Sequence, residues 1–178
     1  PDGGPDYKSA IRHSKREKLD FIPTDARLDM IDTLLAEIPF RETVLREMLR
    51  HEIFSRYDNI FMDMSSRFAT LLLNALVASD SVVIPVQPQE WSDAGVAKML
   101  TNMAAVKKSA NPNLYVGGIL LTMCNRTVLA RSGIRALKQT YPQYVLGVEL
   151  PTLVEVPESQ NARRSLVRPE RWEMSDTP

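Results

Sequence analysis

Three apolar runs constrain this chain more than anything else in it. They are "SVVIPV" (81–86), "LYVGGILLTM" (114–123) and "YVLGVEL" (144–150). The first is continuously apolar and the other two largely so, and a strand apolar on both faces would be buried on both. Strands of that kind belong in parallel sheets covered by helices. The segments between them suit that arrangement. "EWSDAGVAKMLTNMAAVKKSA" (90–110) and "TVLARSGIRALKQTY" (127–141) have helical length and helical spacing of apolar residues, with Gly133 a weak point in the second. Strand–helix–strand–helix–strand is the order of βαβ units.

The pattern extends toward the N-terminus. "LDFIP" (19–23) and "NIFMDM" (59–64) read as two further strands. Helical patterns run through 26–38 (Leu28, Ile31, Leu34, Leu35, Ile38) and 40–54 (Val44, Leu45, Met48, Leu49), and "RFATLLLNALVASD" (67–80) reads as a mostly apolar helix. The expectation is a doubly wound α/β fold with a mostly parallel sheet and helices on both faces. Residues 1–160 would form one domain, and 161–178 a polar tail carrying Arg163, Arg164, Arg168 and Arg171.

Composition narrows the function classes. Lys plus Arg and Asp plus Glu both number 22, so no whole-molecule field favours nucleic acid or membrane, and any such binding needs a local patch. The single cysteine, Cys124, forms no internal disulfide and excludes a cysteine zinc cluster. His13 and His51 share no metal-ligand spacing and read as surface or helix residues. No apolar run is long enough to span a bilayer. The opening "PDGGPDY" reads as a loop cut from within a domain rather than as a signal peptide.

In open parallel sheets, ligands sit beyond the carboxyl ends of the strands. The residues there are Asp63; Pro85, Val86 and Gln87; Cys124, Asn125 and Arg126; and Pro151 with "TLVEVPES". An acid after a buried strand commonly holds magnesium beside nucleotide phosphates, directly or through water. Asp63 equally suits a cap for the following helix, as do Ser65 and Ser66. The residues alone leave both readings open.

"YDNIFMDMSS…LLLNALVASDSVVIPVQPQ", "NPNLYVGGILLTMCNRT" and "ELPTLVEVPES", in that order and spacing, resemble the ParA/Soj/MinD group of deviant Walker ATPases, and most closely its ParA partitioning branch. The resemblance runs from about "DYKSAI" to Glu158. It implies ATP and magnesium as cofactors. Asp63 would match the Walker B acid that supports magnesium, through water, and the attacking water. Asn125 and Arg126 would match the stretch that touches the base. Pro151, Thr152, Val154 and Glu158 would belong to a loop closing over base and ribose. Gln87, Glu90 and Trp91 would lie near an ATP-dependent dimer face, although Trp91 suits a packing role equally.

The resemblance further implies a cytoplasmic, nucleoid-associated homodimer that binds DNA non-specifically and is stimulated by a ParB-like partner, with no membrane contact. Lys107, Lys108, Arg131, Arg135 and Lys138 are the candidate DNA cations, against an ordinary solvated helix face favoured by the helix dipole. The stretch "KSAIRHSKREK" (8–18) reads as solvated surface, and Met62, Met64, Met99, Met103 and Met123 mostly follow core periodicity.

Three departures qualify this resemblance. No lysine-bearing glycine loop of the "KGGxGKTT" type occurs in residues 1–178, and Ser65 and Ser66 replace the usual proline pair. Backbone amides and that lysine do most of the phosphate cradling. This stretch alone is therefore expected to bind ATP weakly and to hydrolyse none, as a fragment of a longer ATPase. The alternative is a degenerate, non-hydrolysing scaffold of the same fold. The stretch after Glu158 also lacks the glycine and final helix expected there.

Overall fold

The computed structural model describes residues 6–15, 17–24, 26–64, 69–89, 93–162 and 166. The elements run α1 (Tyr7–Ala10), β1 (Arg12–Ser14), β2 (Leu19–Phe21), a 3-10 turn (Ala26–Met30), α2 (Ile31–Leu35), a second 3-10 turn (Arg41–Thr43), α3 (Val44–Leu49) and a third (Glu52–Phe54). Then come α4 (Ala69–Ala78), β3 (Ser81–Val86), α5 (Asp93–Ser109), β4 (Tyr115–Cys124), α6 (Val128–Thr140), β5 (Val145–Pro151) and α7 (Glu155–Asn161). The three apolar runs form one parallel sheet in the order β3-β4-β5, each strand joined to the next by a helix. Fold class is thus as the apolar runs demand. Among the described residues no helix is long and apolar enough to cross a membrane.

The chain divides into two compact units, residues 1–84 with 92–119, and residues 85–91 with 120–178. In the first, Ala75, Leu76 and Val77 of α4, Val96, Met103 and Val106 of α5, and Leu114 and Ile119 are buried. Full burial of a side chain such as Leu114 or Ile119 contributes roughly 1.5–3 kcal/mol each. Asn111 ties this unit together. Its Nδ2 donates to the Leu76 carbonyl (3.1 Å) and the Ser79 carbonyl (2.6 Å), satisfying acceptors that the end of α4 leaves open. In the second unit Leu121, Ala130 and Leu137 are fully buried, and Val86 and Pro88 are also inside.

Several local expectations are corrected. Residues 59–64 form no strand. A strand exists through its ladder, and among the described residues the backbone of 58–64 has no hydrogen-bonded neighbour, so apolar character alone does not order it. Phe61 is 94% exposed. Residues 19–23 contribute β2, but it pairs antiparallel with β1 (Arg12 with Phe21, His13 with Asp20, Ser14 with Leu19) rather than joining the parallel sheet. The helices expected over 26–38 and 40–54 are shorter and partly 3-10, and Phe40 between them has a left-handed backbone (φ 55°) that no helix continues through. Met123, expected in the core, is 47% exposed with φ 51°. A short helix, α7, does form around Glu158. Ser65, Ser66, Glu90, Trp91 and the tail arginines lie outside the described residues.

Candidate nucleotide site

The second unit gathers the carboxyl ends of all three parallel strands. β4 ends at Cys124, and the chain turns into α6 through Asn125, Arg126 and Thr127. Thr127 is the N-cap of α6, its hydroxyl accepting from the Ala130 amide (3.2 Å). Asn125 holds that cap in place. Its Oδ1 accepts from the Thr127 hydroxyl (2.6 Å) and the Thr127 amide (3.2 Å). The carboxamide oxygen is thereby engaged, while the Asn125 Nδ2 donors make no hydrogen bond among the described residues. They are what this loop offers to an acceptor on a ligand.

β5 closes onto the same place. The Thr152 amide donates to the Cys124 carbonyl at 3.1 Å, so Pro151 and Thr152 lie beside the start of the Asn125 loop. Asn125, Arg126, Pro151, Thr152, Val154 and Glu158 are exposed. The expected closing loop is corrected here: only Thr152 and Leu153 lie between β5 and α7 outside any element, and Val154 and Glu158 belong to the N-cap and body of α7. Cys124 is partly covered, and its burial, with the nearby Glu149 carboxylate, pushes the thiol up from its ordinary range.

The turn after β3 is fastened to this loop. The Thr122 hydroxyl donates to the Val86 carbonyl (3.4 Å), and Gln89 Nε2 to the Met123 carbonyl (3.4 Å). Pro88 is buried and Gln87 half-buried. Sequence reasoning placed Gln87 on a dimer face and passed over Gln89 and Thr127 as groups that fasten the loop. The available signal was a threonine two residues beyond Asn125, opening a helical run.

Asp63 belongs to the first unit. Its carboxylate is exposed and makes no hydrogen bond or ion pair among the described residues. No cluster of three or more potential metal ligands occurs among those residues. A single free carboxylate does fit magnesium, which takes one or two protein carboxylates and completes its shell with water and phosphate oxygens.

Of the candidate cations, Lys107 and Lys108 end α5, Arg131 and Arg135 lie on α6, and all four are exposed. Lys138 differs. Its ammonium sits 2.7 Å from Glu149 Oε1, so its charge is locally compensated.

A parallel α/β sheet with polar loops gathered beyond its strand ends is the arrangement of nucleotide- and ligand-binding α/β proteins in general. Residues 5–116, more than half of the chain, match the family model described as AAA domain, AAA_31. The chain belongs to that family and is a ParA/Soj-like member of the P-loop ATPases. It is 31% identical over 163 residues to the sporulation initiation inhibitor protein Soj of Bacillus subtilis, covering 91% of this chain and 64% of that one. It is 33% identical over 133 residues to the chromosome-partitioning ATPase Soj of Thermus thermophilus, covering 74% and 52%. Cobyrinic acid a,c-diamide synthase from Mycobacterium smegmatis, solved with bound ADP and magnesium, has a similar fold (TM-score 0.75, 24% identity, covering 82% of this chain and 59% of that one). The chain thus spans between about half and two-thirds of the length of the relatives it matches.

Proposed function

We propose that the intact protein is a magnesium-dependent ATPase of the partitioning type. It dimerises with ATP, binds DNA non-specifically through Lys107, Lys108, Arg131 and Arg135, and is stimulated by a ParB-like partner. It works in the cytoplasm on the nucleoid, where the cycle positions a chromosome, a plasmid or other cargo. The observation that carries this reading is the loop cluster at the strand ends, where Asn125 presents two unengaged donors beside Arg126 and Pro151–Thr152. That arrangement suits the acceptor edge of a base. Family membership supports the rest.

Asp63 is the residue that would hold magnesium, through water. The metal, when bound, neutralises charge on phosphate oxygens. Asn125 and Arg126 orient the base, while Pro151 and Thr152 flank it. Gln87, Glu90 and Trp91 are proposed for the dimer face.

ATP turnover by the intact protein, measured with DNA and partner present, tests this. Asp63→Ala should lower turnover about a hundredfold, as loss of metal support costs several kcal/mol of barrier stabilisation. Equal turnover in wild type and variant would remove Asp63 from the reaction. A folded wild-type dimer with no turnover at all would instead be the non-hydrolysing scaffold.

A further inference from the structure

Gly133 lies in the middle of α6, where a glycine costs helix stability relative to alanine. The structure supplies a reason for it. A Cβ built on Gly133 would stand 2.1 Å from the Pro88 carbonyl oxygen and 2.9 Å from the Pro88 carbonyl carbon. Those are backbone atoms of a buried residue, so no side-chain rotation relieves the overlap. The helix therefore rests directly on the turn that follows β3. On the other side of that turn, Gln89 Nε2 reaches the Met123 carbonyl. Met123 is held at φ 51°, a conformation that a non-glycine residue keeps only when its surroundings impose it. Gln89 Oε1 is buried and has no hydrogen-bond partner among the described residues, a further cost borne at the same place. Beyond Met123 come Cys124, Asn125 and Arg126, and the loop ends in the Thr127 cap of α6 itself. The path closes on itself: Gly133, Pro88, Gln89, Met123, Asn125, Thr127 and back into the helix.

We infer that Gly133 is a positioning residue for the β4–α6 loop: its missing side chain lets α6 seat on the Pro88 carbonyl, and that seat, transmitted through Gln89 to Met123, sets where Asn125 and Arg126 are held. The inference rests on the proposed reading of this loop as the base-contacting segment, but the positioning itself does not. Adding a methyl group must move the turn or the helix by about an ångström, and a displacement of that size at a binding loop costs up to about a hundredfold in productive binding.

The test uses the intact protein carrying Gly133→Ala and, separately, Gln89→Leu, which removes the Met123 contact without touching α6. Two readouts are taken: amide hydrogen exchange across 123–130, and affinity for a fluorescent ATP analogue with magnesium together with KM and kcat. The expected result is faster exchange at Thr127 and Ala130 in both variants. A roughly tenfold or larger rise in Kd and KM should accompany it for Gly133→Ala, with kcat within about twofold. A helix glycine with no such role would give a more stable protein on substitution by alanine, with unchanged exchange and affinity; that result overturns the inference. If Gly133→Ala does not fold, unchanged exchange over 123–130 in Gln89→Leu overturns it equally. If wild type binds no nucleotide, the base-contact reading fails, while the exchange data still decide the positioning.

Discussion

Asn74 is the one fully buried side-chain amide among the described residues, 1% exposed in the mostly apolar α4. Its contacts reach outside its own helix. Oδ1 accepts from the Leu45 amide (3.0 Å), and Nδ2 donates to the Arg41 carbonyl (2.8 Å) and the Thr70 carbonyl (3.0 Å). Leu45 is in the first turn of α3, whose N-cap residue Thr43 makes no side-chain capping bond. Asn74 thus caps α3 from a different helix, taking an amide that α3 cannot satisfy itself. Asn74→Leu keeps the branched outline of the side chain, with somewhat more bulk, and removes the polar atoms. The Thr70 carbonyl retains its bond within α4, so two part-buried groups, Leu45 N–H and Arg41 C=O, lose their partner. At about 1–2 kcal/mol each, the variant should be destabilised by about 2–4 kcal/mol. For a chain of this size that lowers Tm by roughly 4–16 °C. Urea unfolding of the intact protein followed by circular dichroism measures it, with an unchanged m-value showing that the unfolded state is not what moved. A loss below about 0.5 kcal/mol would mean that water replaces both bonds and that Asn74 is not a cap.

Two further outcomes follow from ion pairs. Asp20 accepts from the Tyr57 hydroxyl and from Arg56 Nη2 (2.9 Å), and His13 Nδ1 lies 2.7 Å from it; the Tyr57 bond first, then His13, holds its carboxyl below the ordinary carboxylate range. A depressed folded-state value contributes stability above the unfolded value and loses it as pH falls through the folded one, so Asp20→Asn should flatten the acid limb of stability against pH, and an unchanged limb would refute this. On DNA, Lys107→Ala with Lys108→Ala should lower the slope of log affinity against log salt by about 1–2, whereas Lys138→Ala, already compensated by Glu149, should change it by less than about 0.5; equal effects in fluorescence anisotropy would show that the Glu149 pair does not hold in solution.

The legible part of this fold is the part whose partners are implied by its own composition. β3, β4 and β5 were found from their apolar runs, but only β4, with Ile119 and Leu121 fully buried, shows the burial expected of them; β3 is partly exposed and β5 has no buried residue, with Val148 58% and Leu150 45% exposed. The segment at 59–64 also has an apolar run but no ladder partner among the described residues, and composition cannot supply one. β2 did find a partner, the polar "RHS" of β1, which no hydrophobic pattern marks. The site divides in the same way. Asn125, Arg126 and Pro151 were nominated from their place after strands and from family resemblance. The residues that organise them were passed over because each acts through a group far away in sequence. Gln89 and Met123 are 34 positions apart, and Gly133 meets Pro88 from a different element. Asn74, in an apolar helix, looks like an unfavourable guest until Leu45 and Arg41 are placed beside it. Gly133 and Asn74 share a character: both lower the stability of their own helix, and both are repaid by a contact with a distant backbone. A residue that violates its local pattern inside an otherwise consistent element is therefore the place to look for long-range positioning. In this chain that rule marks Gly133 directly from the string "ARSGIRAL".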